Sequence, residues 1–142
     1  MAIKISKKKK KNRADQRAGV IILKKFGKEY KVLCLKIFGS YDFPKGGVEP
    51  FENVFAAAMR EAEEESGITD LDFEWGLATT KVRNVTLFIA STTQRPVIKP
   101  NPETGEFEHH AAHWKDFDDA EKSLHPYLRP TISWVRQVIG EK

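Results

Sequence analysis

From Glu52 to Ser66 the chain reads ENVFAAAMREAEEES, without an internal glycine or proline, between a glycine-rich stretch and Gly67. Those boundaries predict one helix over 52–66, with Gly67 just past its last turn. Val54, Phe55, Ala58, Met59 and Ala62 recur at three- and four-residue steps, which gives the helix one apolar face to bury. Glu61, Glu64 and Glu65 project in a narrow sector beside that face, whereas Glu63 points elsewhere. Like charges at i, i+4 repel, and carboxylates bordering a buried face hold their protons more tightly unless a positive charge reaches them. Arg60 neutralises only one of the glutamates. On the helix alone, a solvated acidic face is the alternative reading.

Strand signals lie on both sides. Ala18 to Phe26 (AGVIILKKF) and Tyr30 to Phe38 (YKVLCLKIF) flank a turn at Gly27-Lys28 and predict a hairpin. LDFEWGLAT and NVTLFIAST are two further strand candidates separated by polar Lys81, Arg83 and Asn84, and HAAHW predicts a short strand. Gly39 to Gly47, with three glycines and Pro44, reads as a loop, and PVIKPNPETGEF as a long surface loop. DFDDAEKSL predicts a capped helical turn starting near Asp116, and PTISWVRQVIG a closing helix ended by Gly140. Trp75, Trp114, Trp134 and the single cysteine, Cys34, read as core residues. One cysteine builds neither a disulfide framework nor a thiolate zinc site within one chain.

The 142 residues suit one domain. Its formal charge of +4 is unevenly spread. Residues 1–17 carry eight Lys and Arg against Asp15, leaving 16 basic and 19 acidic residues in 18–142. The expected organisation is therefore a basic, disordered tail over 1–17 and a mildly acidic domain over 18–142. Lys7 to Lys11 offer an electrostatic arm for RNA or polyphosphate, with a solubilising tail as the alternative. No apolar run approaches the roughly 20 residues that span a bilayer, and no apolar segment of the secretory type follows the lysines. A cytoplasmic protein without membrane contact is expected.

Carboxylates without cysteine or an adjacent histidine favour a hard, oxygen-seeking cation, Mg²⁺ or Mn²⁺ before zinc. Magnesium takes its remaining ligands from water and substrate phosphates, which points to phosphoanhydride chemistry. The loop upstream agrees. Gly46 and Gly47 let backbone approach a phosphate, and Lys45 adds a point charge for substrate.

Counted from Gly46, five residues lead to Glu52, seven more to Arg60-Glu61, and the chain continues Ala62, Glu63, Glu64, Glu65, Ser66, Gly67, Ile68. This resembles the box of the Nudix hydrolases, G-x5-E-x7-R-E-U-x-E-E-x-G-U with U apolar, at every fixed position. The resemblance implies an α/β/α sandwich around a mixed sheet and metal-dependent hydrolysis of nucleoside diphosphates linked to another moiety. It implies Glu61, Glu64, Glu65 and the Lys45 carbonyl at the metal, Glu61, Arg60 and Glu64 in catalysis, and Glu52 outside the ligands. FPKGGVEP and EHHAAHW are similar to the asymmetrical diadenosine tetraphosphate hydrolases, which adds Glu108 to the metal site and Tyr127 as a base-stacking ring. Phe51 and Leu87 depart from that subgroup, standing where a glycine and a second stacking tyrosine are usual. Arg83, like Lys45, Gly46 and Gly47, is a candidate for holding the substrate. The expected substrate is a dinucleoside polyphosphate such as diadenosine tetraphosphate. The alternatives are an RNA 5′ end, a diphosphoinositol polyphosphate or another nucleotide derivative, and, in another class, a non-catalytic nucleotide-binding module.

Overall fold

The computed structural model describes residues 15–141, so the lysine run and the expected disorder of the tail lie outside the described residues. Strands β1 (Arg17–Phe26), β2 (Glu29–Ile37), β3 (Ser40–Asp42), β4 (Lys45–Gly47), β5 (Thr79–Val82), β6 (Val85–Ser91) and β7 (Ala111–Lys115) join in one sheet. Helices α1 (Val54–Ser66), α2 (Phe117–Ser123) and α3 (Thr131–Ile139) complete the order, with a 3₁₀ turn at Pro126–Leu128. The sheet runs β3-β2-β1-β6-β5, and β4 and β7 pair with β1 and β2 off that path. Among the described strands only β1 and β6 pair in parallel, so the sheet is mixed.

β1 holds the centre because it is apolar on both faces. Ala18, Val20 and Ile22 meet Ala57, Ala58 and Ala62 of α1 on one side. Ile21 and Leu23 meet Phe117, Ala120, Ile132 and Val135 of α2 and α3 on the other. These two cores make the expected α/β/α sandwich.

The predicted hairpin, the strand at 85–91, β7 and all three helices form as read. Four boundaries differ. Gly39 to Gly47 is two short strands rather than a loop, because β3 completes the edge of β2 and β4 pairs Lys45, Gly46 and Gly47 with Gly19, Ala18 and Arg17. LDFEWGLAT contributes an isolated bridge, Asp72 to Ser91, and the first residue of β5, Thr79, since its backbone turns at Gly76 instead of extending along β6. Arg17, assigned to the tail, opens β1, where it pairs with Gly47 and Val85. The helix begins at Val54, two residues late, because Asn53 caps it by accepting the Ala56 N–H at 2.7 Å. Its other end is as predicted, with Gly67 left-handed at φ 74° and donating to the Glu63 carbonyl.

The buried face of α1 also shifts from the expected one. Ala57, Ala58, Ala62 and Ser66 are buried, while Met59 is exposed. Small side chains allow the helix axis to approach β1 closely, which brings the polar flank of α1 down onto β4.

Between β4 and α1, Phe51 is 96% exposed and adopts φ 67°. A β-carbon in that left-handed region costs about 1–2 kcal/mol, and the exposed ring has no burial to offset it. A glycine relieves that strain and accounts for its suitability at this position. Phe51→Gly is expected to raise stability by about 1 kcal/mol, less the entropy glycine adds to the unfolded chain, measured as a higher urea midpoint with unchanged slope.

Candidate metal and phosphate site

Arg60 organises the polar flank of α1. Its Nε and Nη2 donate to the two Glu52 oxygens at 2.8 and 3.0 Å, and Nη2 also donates to the Gly47 carbonyl at 2.8 Å. Nη1 reaches Glu61 and Glu64, each at 3.3 Å. The Glu52 contact is the strongest influence on both partners, holding the Glu52 carboxyl below its ordinary range and raising the guanidinium pKa. Glu52 also accepts the Glu49 N–H at 3.0 Å, closing the turn that carries Phe51.

Glu65 lies on the same flank, one turn beyond Glu61. Its Oε1 accepts the backbone N–H of Lys45 at 2.9 Å, which ties the end of the helix to β4. Burial pushes the Glu65 carboxyl up to about 8, with the Lys45 N–H opposing and Glu61, Asp42 and Glu108 reinforcing the rise. Burial likewise raises Glu61 to about 7, against the pull of Arg60. The space above β4 is filled by these acids. A β-carbon at Gly46 would collide with the Glu61 carboxylate where it now stands, so glycine there gives the carboxylate its place by close approach rather than by φ.

The wall opposite α1 comes from the segment before β7. Donor atoms of Glu65, Glu108 and His109 all lie within 4.8 Å of one another. Glu108 is aimed by Asn101, whose Nδ2 donates to it at 2.6 Å, and Asn101 is fixed by its own turn, accepting from Glu103 and donating to the Glu106 carbonyl. His109 is only 6% exposed, and burial lowers its pKa, leaving a neutral imidazole beside the acids. Two carboxylates with one neutral imidazole suit a divalent cation by donor chemistry.

These groups line a cavity of about 480 Å³. Glu61, Glu64, Glu65, Glu108, Lys45, Gly46, Gly47 and Arg60 all face it, as the sequence predicts for one site. Glu52 stands behind Arg60, outside the lining. Lys45 differs from expectation in its charge: it is 6% exposed and its ammonium is 3.0 Å from Asp42. Arg83 and Tyr127 do not line the cavity. They stack on each other, guanidinium carbon to ring centroid 4.5 Å, with Arg83 left-handed at φ 53° in the β5–β6 turn. His109 lies just before β7. Sequence reasoning missed His109 as a cavity residue, together with Asn101, Arg17 and Lys99. Only the Asx-turn pattern NPETG carried a signal for Asn101.

The NUDIX domain family matches residues 15–135, most of the chain and all of the cavity. The chain belongs to the Nudix family. With its box complete, it is a hydrolase of that family, whose members generally use divalent metals and act on nucleotide derivatives. The Nudix fold is shared with an Ap4A hydrolase from C. elegans in a binary complex, at 22% identity over 88% of this chain and 98% of that one, TM-score 0.73. It is also shared with the E. coli dihydroneopterin triphosphate pyrophosphohydrolase, at 20% identity over 86% and 94%, TM-score 0.62. The NUDIX domain of Shewanella oneidensis NrtR complexed with ADP ribose is similar at 12% identity over 87% of each chain, TM-score 0.64. No curated protein matches this Nudix chain by sequence. Among the described residues, no helix is long and apolar enough to cross a membrane.

The raised carboxyls set a pH dependence. Above about pH 6.5 unfolded carboxylates are ionised and unfolded histidine is largely neutral, whereas folded Glu61 and Glu65 keep protons until about pH 7 and 8. Unfolding then releases protons, so stability falls as pH rises through 7 and 8. In chelator the melting temperature is expected to be lower at pH 8 than at pH 6.5, and excess Mg²⁺ is expected to narrow the difference. Calorimetric titration of Mg²⁺ near pH 7 should release about one proton per ion, read from buffers of different ionisation enthalpy.

Proposed function

We propose that this chain hydrolyses a phosphoanhydride bond in a nucleoside diphosphate linked to another moiety, with a divalent cation, Mg²⁺ or Mn²⁺, held by Glu61, Glu64, Glu65 and Glu108 and the Lys45 carbonyl. The observation that carries this reading is the convergence of carboxylates from α1 and the pre-β7 segment on one cavity, organised by Arg60. The bound cation would neutralise phosphate charge and make phosphorus more susceptible to water.

The chain's own groups supply the rest. Arg60 positions Glu61 and Glu64 through its fork, itself anchored on Glu52 and the Gly47 carbonyl. Glu61 has a pKa of about 7, which suits a carboxylate that takes a proton from the attacking water near neutral pH. Glu65, tied to the Lys45 N–H, fixes the distance between helix and strand. Gly47 leaves room for phosphate oxygens beside the backbone, Gly46 admits the Glu61 carboxylate, and Lys45 contributes charge already shared with Asp42.

The proposed substrate class is dinucleoside polyphosphates such as diadenosine tetraphosphate. The Ap4A hydrolase likeness and the FPKGG and EHHAAHW segments support it. Arg83 and Tyr127 supply one face for a base, with Arg83 as the partner that a bound adenine would have to displace. A triphosphorylated RNA 5′ end is the second reading, supported by Lys7 to Lys11. We further propose the basic segment as a separate arm, ending before β1. Removing residues 1–14 should then leave dinucleotide turnover intact and slow an RNA substrate in a salt-dependent way if RNA is the substrate.

Turnover is expected on a product-resolved panel of nucleoside diphosphate derivatives with Mg²⁺ or Mn²⁺ in heavy-oxygen water, the label marking the phosphorus attacked. Glu64→Gln and Glu65→Gln should each lower kcat more than about a hundredfold, and Arg60→Lys about ten- to a hundredfold. Activity that survives the two glutamine variants would refute the metal assignment. Failure of the wild type on the whole panel would favour a nucleotide-binding module.

A further inference from the structure

Among the described residues four cations line the cavity, and they divide into two kinds. Arg60 is spent on Glu52, Glu61 and Glu64, and Lys45 on Asp42. Arg17 and Lys99 also line the cavity, and among the described residues neither has an ion-pair partner. A cation facing an acidic cavity without a carboxylate of its own is placed for an anion that arrives.

The backbone that carries each of them is fixed. Arg17 opens β1, its N–H donating to the Asn84 carbonyl at 2.9 Å, and its strand neighbours are Gly47 and Val85. Lys99 lies between two anchors of an otherwise irregular segment. Before it, the Val97 N–H donates to the Ser66 carbonyl at 2.7 Å and Ile98 packs on the α1 side of the core. After it, Asn101 is bonded to Glu106 and Glu108. The two cations therefore come from different elements, β1 and the 97–101 segment, onto one cavity.

We propose that Arg17 and Lys99 form a second phosphate-holding pair, which selects substrates with a linear chain of three or more phosphates. This rests on the reading of the cavity as a phosphoanhydride site. The carboxylates serve one end of such a chain through the cation they bind. They repel every phosphate beyond it, and each further phosphate brings negative charge that is costly to desolvate without a positive partner. Arg60 and Lys45 cannot turn to those phosphates without leaving carboxylates unpaired. Arg17 and Lys99 are the cavity cations with no such loss. Arg17, half-buried, offers a planar fork to phosphate oxygens, and exposed Lys99 a mobile point charge.

The test is calorimetric titration of the Mg²⁺-loaded full chain with inorganic tripolyphosphate and, separately, pyrophosphate, each as its Mg²⁺ complex. Arg17→Ala is expected to weaken tripolyphosphate about tenfold and Lys99→Ala about threefold. Pyrophosphate should lose less in both variants. Arg17→Lys should recover part of the loss, and the double variant should show a shallower salt dependence than wild type. Thermal melts identify any variant that fails to fold, and Arg17→Gln then replaces Arg17→Ala. Unchanged tripolyphosphate affinity in the folded double variant, equal losses for both anions, or no tripolyphosphate binding by wild type overturns the proposal. The titration needs no turnover: a wild type inactive on every nucleotide but showing this pattern would refute the hydrolase reading and leave the phosphate pair standing.

Discussion

The Arg60 guanidinium is the interaction on which the rest of the site depends. The final turns of α1 place Glu61, Glu63, Glu64 and Glu65 at the negative end of the helix dipole, with no basic residue in the last turn. Repulsion among the acids and the dipole both act against that arrangement. Arg60 offsets part of it by reaching four groups with one planar cation: Glu52, Glu61, Glu64 and the Gly47 carbonyl. A lysine at this position would present a single point charge and leave most of those acceptors unmatched. What remains uncompensated appears as the raised pKa values of Glu61 and Glu65.

That residual electrostatic cost is tolerable because the frame beneath is rigid. Alanines on α1 bring the helix close to Ala18, Val20 and Ile22, and β1 is buried on both faces. β4 is the element that turns close packing into a site. Its pairing with the start of β1 puts Gly46 beneath the Glu61 carboxylate and the Lys45 N–H against Glu65. The turn leading from β4 into α1 carries the left-handed Phe51, so a little local strain accompanies the connection between strand and helix.

The segment between β6 and β7 closes the cavity from outside the box. It is irregular, yet several contacts pin it: Val97 to Ser66, Asn101 to Glu106, Asn101 to Glu108, and His110 to the Lys36 carbonyl. Through these, Glu108 and His109 face Glu65 across the space that α1 alone leaves open. Fold and chemistry are coupled here by a loop whose backbone is satisfied locally, which is how an irregular segment holds side chains in place.

How much of this was legible in the sequence depends on the range of the forces involved. The helix, its Gly67 stop, the β1–β2 hairpin, the strand at 85–91 and the box glutamates follow from local periodicity, caps and spacing, and the structure has them. Two predictions failed: glycine-rich 39–47 became strands because β1 and β2 offered open edges, and LDFEWGLAT meets β6 only near its two ends, at Asp72 and Thr79. Phe51 marked itself as unusual in sequence, but only the backbone shows that its position is left-handed. Arg60, Glu61, Glu64 and Glu65 lie within six residues, so two adjacent turns of one helix bring them together. Arg17, Lys99, Asn101 and His109 are far apart in sequence and carry no motif, and only the packed sheet and the anchored loop bring them to one cavity. The sequence by itself determined which acids crowd one flank of the helix. The tertiary structure decided which cations are already taken and which remain, because pairing depends on distances that no local pattern encodes.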